Sequence, residues 1–97
     1  MKYVSIDLEF SGLNLEYAQI LEIGAIIEDT ENKLPYEKCP KFHCYINHKK
    51  LTGEIYALAM NAEILKLISK IQDIDNQEEK DKYIKDNNIL NDYEVTE

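Results

Sequence analysis

Asp7 and Glu9 stand two residues apart in an alternating run, Val4-Ser5-Ile6-Asp7-Leu8-Glu9-Phe10, which closes on Ser11-Gly12-Leu13. On a strand, side chains two apart share a face. The two carboxylates therefore project together, their Cβ atoms roughly 6–7 Å apart from a rise of about 3.3 Å per residue. Carboxylates of different length at that spacing can reach one divalent cation, and hard oxygen ligands suit Mg²⁺ or Mn²⁺. Two such ions held close together activate a water and stabilise a leaving oxygen.

Asp-x-Glu by itself is weak evidence. It occurs at Asp7/Glu9, Asp29/Glu31 and Asp92/Glu94 in a chain of 97 residues with 31% charged residues. The second pair falls in a polar connection and the third in a charged C-terminal stretch, where both read as solvated charge. Only the first lies in an apolar strand pattern, where an unpaired acid is costly to bury.

The elements that must position this pair follow from periodicity. Residues 3–10 alternate with period two and form a first strand. Gln19 to Glu28 is apolar on both faces except at Glu22, as suits a strand inside a sheet. Residues 41–47 alternate again. Three consecutive strands with short connections favour an antiparallel meander. Thr52-Gly53 marks a turn. Ile64, Leu65, Leu67, Ile68 and Ile71 then make one helical stripe over residues 61–71, with Asn61 as its N-cap. Beyond Gln72 the apolar residues, among them Ile84, Ile89, Leu90 and Val95, are too sparse to define a core element.

Composition narrows the function classes. The formal net charge is −8, and residues 61–97 carry five Lys against ten acids. Such acidity argues against a broad phosphate-binding surface, which rests on Lys and Arg. It leaves room for a nuclease whose metal ions neutralise an acidic centre. Cys39, His43, Cys44 and His48 lack the spacing of a zinc module, and a strand points His43 and Cys44 to opposite faces. They read as free thiols and as strand and turn histidines. No signal-peptide pattern and no apolar run near membrane-spanning length is present, so no membrane partner is expected and the location is read as cytoplasmic.

With these residues in view, Ile6-Asp7-Leu8-Glu9-Phe10-Ser11-Gly12-Leu13 resembles the first exonuclease motif of the DnaQ-like (DEDD) 3′–5′ exonucleases, Asp-x-Glu-x-Thr/Ser-Gly. Gln19-Ile20-Leu21-Glu22-Ile23-Gly24-Ala25 is similar to that family's second strand, and Leu51-Thr52-Gly53 fits the turn that follows the third. The resemblance covers roughly residues 3–71. It implies an α/β, RNase H-like fold, N-terminal portion only: a three-stranded antiparallel meander plus one packed helix. Residues 1–72 would be a partial exonuclease-like domain, and 73–97 an acidic tail, partly helical or disordered.

The resemblance also implies roles. Asp7 and Glu9 would be catalytic metal ligands of a Mg²⁺ or Mn²⁺ two-metal site. The backbone at Ser11 and Gly12 and the side chain of Leu13 would touch the 3′-terminal nucleotide of single-stranded DNA or RNA. Glu22 would be a supporting acid rather than a ligand. The family's further Asp, and a His followed five residues later by Asp, have no counterpart: the fifth position after His43 is His48, and after His48 it is Gly53. Hydrolysis by this chain then requires residues from another segment or chain. The alternative is an inactive exonuclease fold used for binding. Either way, apolar sheet surface should stay uncovered, which favours a second chain or self-association.

Overall fold

The computed structural model describes residues 1–14 and 16–95. Four strands form one sheet in the order β1-β2-β3-β4, with β1 Lys2–Phe10, β2 Ile20–Asp29, β3 Lys41–Asn47 and β4 Ile89–Asn91. The first three strands are the antiparallel meander read from the sequence. β4 was not foreseen and runs parallel to β3, pairing Tyr45 with Ile89 and Ile46 with Leu90.

The register explains the alternation. Leu8 lies opposite Ile23, and Ile23 opposite Cys44, so one face collects the apolar residues. The fully covered apolar side chains are Leu21, Cys44, Ile46 and Ile89. Burial pushes the Cys44 thiol above its ordinary pKa, and both cysteines are free.

The far half of this face is open. Val4 pairs with Ile27, and Ile6 lines up with Ala25 and Phe42. All four large side chains are exposed, Ile6 by 64%. The expectation of uncovered apolar sheet is met here. On its outer side β1 has no partner strand among the described residues.

The helical region departs from the expected single helix over 61–71. It comprises α1 Ile55–Met60, α2 Ala62–Ser69 and a 3-10 turn, Lys70–Asp73. α1 has no periodic signature because its large side chains do not form a buried stripe: Ile55, Tyr56 and Met60 are all exposed. Asn61 separates the two helices and makes no side-chain cap. Its Nδ2 instead donates to the carbonyls of Phe10 (3.2 Å) and Ala57 (3.0 Å), tying the helix junction to the end of β1.

Residues beyond Gln72 build more than sparse apolar spacing suggests. α3, Gln77–Asp86, starts at Asn76, whose Oδ1 accepts the Glu79 N–H at 3.1 Å. Glu78 and Glu79 in its first turn and Lys85 in its last suit the helix dipole. The Tyr83 hydroxyl donates to the Leu67 carbonyl and so docks α3 on α2. Asn88 then adopts φ 55°, a left-handed turn that Asn tolerates. Its carbonyl accepts the Tyr45 N–H at 2.8 Å, which delivers Ile89 into the core. α4, Asp92–Val95, follows directly. The Asp92 carboxylate accepts the Lys49 N–H at 3.1 Å, and this bond holds its pKa below the ordinary value.

If Ile89 anchors the C-terminal segment, Ile89→Ala should lower unfolding stability by about 2–4 kcal/mol, the usual cost of emptying a buried aliphatic site. A chemical denaturation midpoint unchanged from wild type would show that β4 is not part of the cooperative core.

Candidate nuclease site on the open sheet face

The face opposite the core carries Tyr3, Ser5, Asp7 and Glu9 from β1. Register sets their neighbours. Asp7 lies opposite Gly24, and Gly24 opposite His43; Glu9 lies opposite Glu22, and Glu22 opposite Tyr45. Asp7 is exposed and Glu9 half-buried. A Cβ on Gly24 would meet only the Asp7 carbonyl at 3.9 Å, so the floor between Asp7 and His43 is open.

Glu9 and Glu22 directly opposite one another is a like-charge pair, which strands ordinarily avoid. The second acid has another partner. His43 Nε2 lies 2.5 Å from Glu22 Oε2, and the imidazole packs edge-on against Tyr45 with ring centres 4.7 Å apart. His43, read from the sequence as an ordinary strand residue, thus stands on the acidic face and holds Glu22. His48 is a structural donor: its Nε2 bonds the Ile20 carbonyl at 2.7 Å.

A divalent cation needs several oxygens. Asp7 and Glu9 are hard donors on one face, yet among the described residues no three or more His, Cys, Asp or Glu side chains are grouped to hold a metal. The described residues do not by themselves group a complete metal centre.

The turn after β1 is built far more completely. A register shift falls between Glu9 and Phe10, where the strand leaves its regular pairing. Ser11 is fully buried. Its N–H donates to the Gln19 carbonyl at 2.9 Å, and its Oγ accepts the Gln19 N–H at 2.8 Å, closing the loop that joins β1 to β2. Gln19 continues outward: its Oε1 accepts the Thr52 N–H at 2.9 Å and its Nε2 donates to the Lys50 carbonyl at 3.1 Å. Thr52 Oγ1 donates to the Tyr17 carbonyl at 2.9 Å.

Two glycines allow the closest approach. A Cβ on Gly53 would sit 2.5 Å from the Ser11 carbonyl oxygen, and one on Gly12 would sit 2.8 Å from Glu54 Oε1. The Glu54 N–H donates to the Ser11 carbonyl at 2.8 Å. Its Oε1 accepts the N–H groups of both Leu13 (2.9 Å) and Asn14 (3.0 Å). Leu13, held in this way, leaves its side chain 83% exposed.

The structure therefore places Asp7 and Glu9 on one accessible face and Ser11, Gly12 and Leu13 in one hydrogen-bonded turn beside their strand end. Sequence reading missed Gln19 and Glu54. The Leu51-Thr52-Gly53 turn was visible, but nothing local announces that it docks on a turn some forty residues earlier.

A three-strand antiparallel meander followed by helices and a parallel strand, with paired acids near the end of its first strand, is an exonuclease-type α/β sheet. The chain belongs to the RNase T exonuclease family, whose model, described as Exonuclease, matches residues 4–94. The match runs past residue 71, where the sequence resemblance stopped, and takes in α3 and β4. Comparison with curated proteins and with solved structures returns no match. No helix among the described residues is long and apolar enough to cross a membrane.

The glycine contacts are testable. Gly53→Ala must displace backbone and should cost about 1–3 kcal/mol, as overpacking does. Gly12→Ala presses on a flexible carboxylate end and should cost less. Equal thermal midpoints for the two variants would contradict the clasp.

Proposed function

We propose that this chain is a 3′–5′ exonuclease-like protein that acts on the 3′ end of single-stranded nucleic acid, in the cytoplasm, and that it is incomplete as a catalyst without residues from another segment or chain. The observation that carries this reading is the shared exposed face of Asp7 and Glu9 beside the fixed Ser11-Gly12-Leu13 turn.

In this reading Asp7 and Glu9 would hold Mg²⁺ or Mn²⁺, and the bound ions would supply water activation and leaving-group stabilisation for phosphodiester hydrolysis. The protein's own contribution is positional. The turn sets where the terminal nucleotide rests, and His43 keeps Glu22 engaged away from Glu9. That no three or more His, Cys, Asp or Glu side chains are grouped to hold a metal among the described residues supports the requirement for further acids. The bare patch formed by Val4, Ile6, Ile27 and Phe42, together with the free edge of β1, supports a second chain or a second copy as their source. The free thiols suit a reducing compartment.

A second reading is an exonuclease fold that binds without turnover. That no three or more His, Cys, Asp or Glu side chains are grouped to hold a metal among the described residues favours it.

A nuclease assay with Mn²⁺ on single-stranded DNA and RNA separates the two. Cleavage by the chain alone, lost in Asp7→Ala/Glu9→Ala, would support the enzyme class and overturn the incompleteness proposed here. Strand binding without cleavage that is equal in wild type and double variant supports the binding module, whereas strand binding without cleavage that Mn²⁺ strengthens in wild type and not in the double variant supports the incomplete enzyme.

A further inference from the structure

β1 is an edge strand of nine residues without proline, and its register on β2 runs unbroken from Lys2 to Glu9. A long edge of this kind is a template for another strand. Which of its backbone groups are free follows from one bond at its start: the Met1 carbonyl accepts the Thr30 N–H at 2.9 Å. An antiparallel ladder bonds alternate residues, so the odd positions of β1 aim their backbone groups at β2. Lys2, Val4, Ile6 and Leu8 aim theirs outward, where no strand among the described residues meets them. Val4 and Ile6 also expose their side chains, and Leu8 is half-buried.

We propose that a second copy of this chain occupies that edge, β1 antiparallel to β1 about a two-fold axis at Ile6, joining the two four-stranded sheets into one. Along its full length β1 is complementary to itself in this register. Ile6 falls opposite Ile6, Val4 opposite Leu8, Ser5 opposite Asp7 and Tyr3 opposite Glu9, so apolar meets apolar and each acid meets an uncharged side chain. An axis at Asp7 would set Asp7 against itself, and one at Leu8 would set Asp7 against Glu9; like charges directly opposite destabilise a sheet. An axis at Ser5 avoids both but leaves Glu9 and Phe10 beyond the paired length. In the favoured register the outward groups of Val4, Ile6 and Leu8 exchange about six hydrogen bonds with the other copy. A patch that complements itself across a two-fold axis closes as a dimer and does not propagate.

The pairing rests on β1 alone; what the partner adds to the site rests on the exonuclease reading above and deepens it. Both acidic faces lie on one side of the joined sheet. The partner subunit's Asp7 stands diagonal to Asp7, at the roughly 7–8 Å of such neighbours. A further acid thereby comes to Asp7 and Glu9 from a second copy and not from a different chain. The two aspartates repel one another in the absence of a cation, so Mn²⁺ should tighten the dimer.

Sedimentation equilibrium and amide hydrogen exchange across a dilution series of the purified chain, with and without Mn²⁺, test this. A monomer–dimer equilibrium is expected, with the Val4, Ile6 and Leu8 amides exchanging about tenfold or more slowly in the concentrated sample, because pairing closes their free edge. Ile6→Lys sets two ammonium groups together on the axis. It should stay folded by circular dichroism, since Ile6 is 64% exposed, and should lose both the dimer and the slowed exchange. Val4→Pro removes one outward N–H, which an edge strand tolerates, and should do the same. A chain that stays monomeric overturns the inference and returns the edge to a strand from a different chain. A dimer whose three amides exchange as fast as in the monomer also overturns it, and places another surface, such as the open apolar face, at the interface. A dimer with slowed amides that Mn²⁺ does not tighten bears out the edge pairing and overturns the metal role proposed for Asp7 and Glu9.

Discussion

The contact between Ser11–Asn14 and Gly53–Glu54 is the constraint on which the remaining structure depends. It joins the end of β1 to the segment entering α1, across a separation of some forty residues. The β1–β2 loop is also closed by the Tyr17 and Ala18 N–H groups on the Asn14 carbonyl and by the Ser11–Gln19 bonds. Those bonds themselves lean on Gln19, whose side chain is engaged by Lys50 and Thr52. Asn61 adds a further bond from the helix junction to the Phe10 carbonyl. The strand that carries Asp7 and Glu9 is therefore held at the end where its regular pairing breaks down, although its outer edge has no partner among the described residues.

Charge organises the opposite face. Four carboxylates, Asp7, Glu9, Glu22 and Glu28, sit on it in a chain whose net charge is −8. The Glu22–His43 pair removes one of them from the like-charge contact. Asp7 and Glu9 have no cationic partner within ion-pair distance among the described residues. Leaving two acids unpaired on an exposed strand costs little in water. It also keeps them available, which suits the metal-binding role proposed for them. The apolar face has a similar incompleteness at Ile6 and Phe42. Core and proposed site both thin out toward β1, so one added element along that edge would address both.

Much of this architecture was legible in the sequence, and the reasons differ by element. Alternation placed β1, β2 and β3, because each strand buries a single face or sits between neighbours. The Asp7–Glu9 pair and the Ser11-Gly12-Leu13 turn were visible as a local pattern, and the family match agrees with the class they suggested. α1 was missed because Ile55, Tyr56 and Met60 are exposed, so no stripe marks it. β4 was missed because three residues cannot display a period; Ile89 earns burial only through pairing with Tyr45, which local sequence does not encode. Asn61 holds the N-cap position expected of it, but its side chain ties to Phe10 and does not cap α2. Glu54 and His43 gained meaning only from register and docking.

Titration of Mn²⁺ into the purified chain, followed by calorimetry, tests most directly the proposal that Asp7 and Glu9 are part, and not all, of a carboxylate metal set. Two carboxylates alone should give weak binding at a single site, since affinity rises with ligand and charge count. That binding should disappear in Asp7→Asn/Glu9→Gln. Tight binding of two ions per chain, or binding indifferent to the double substitution, would contradict it.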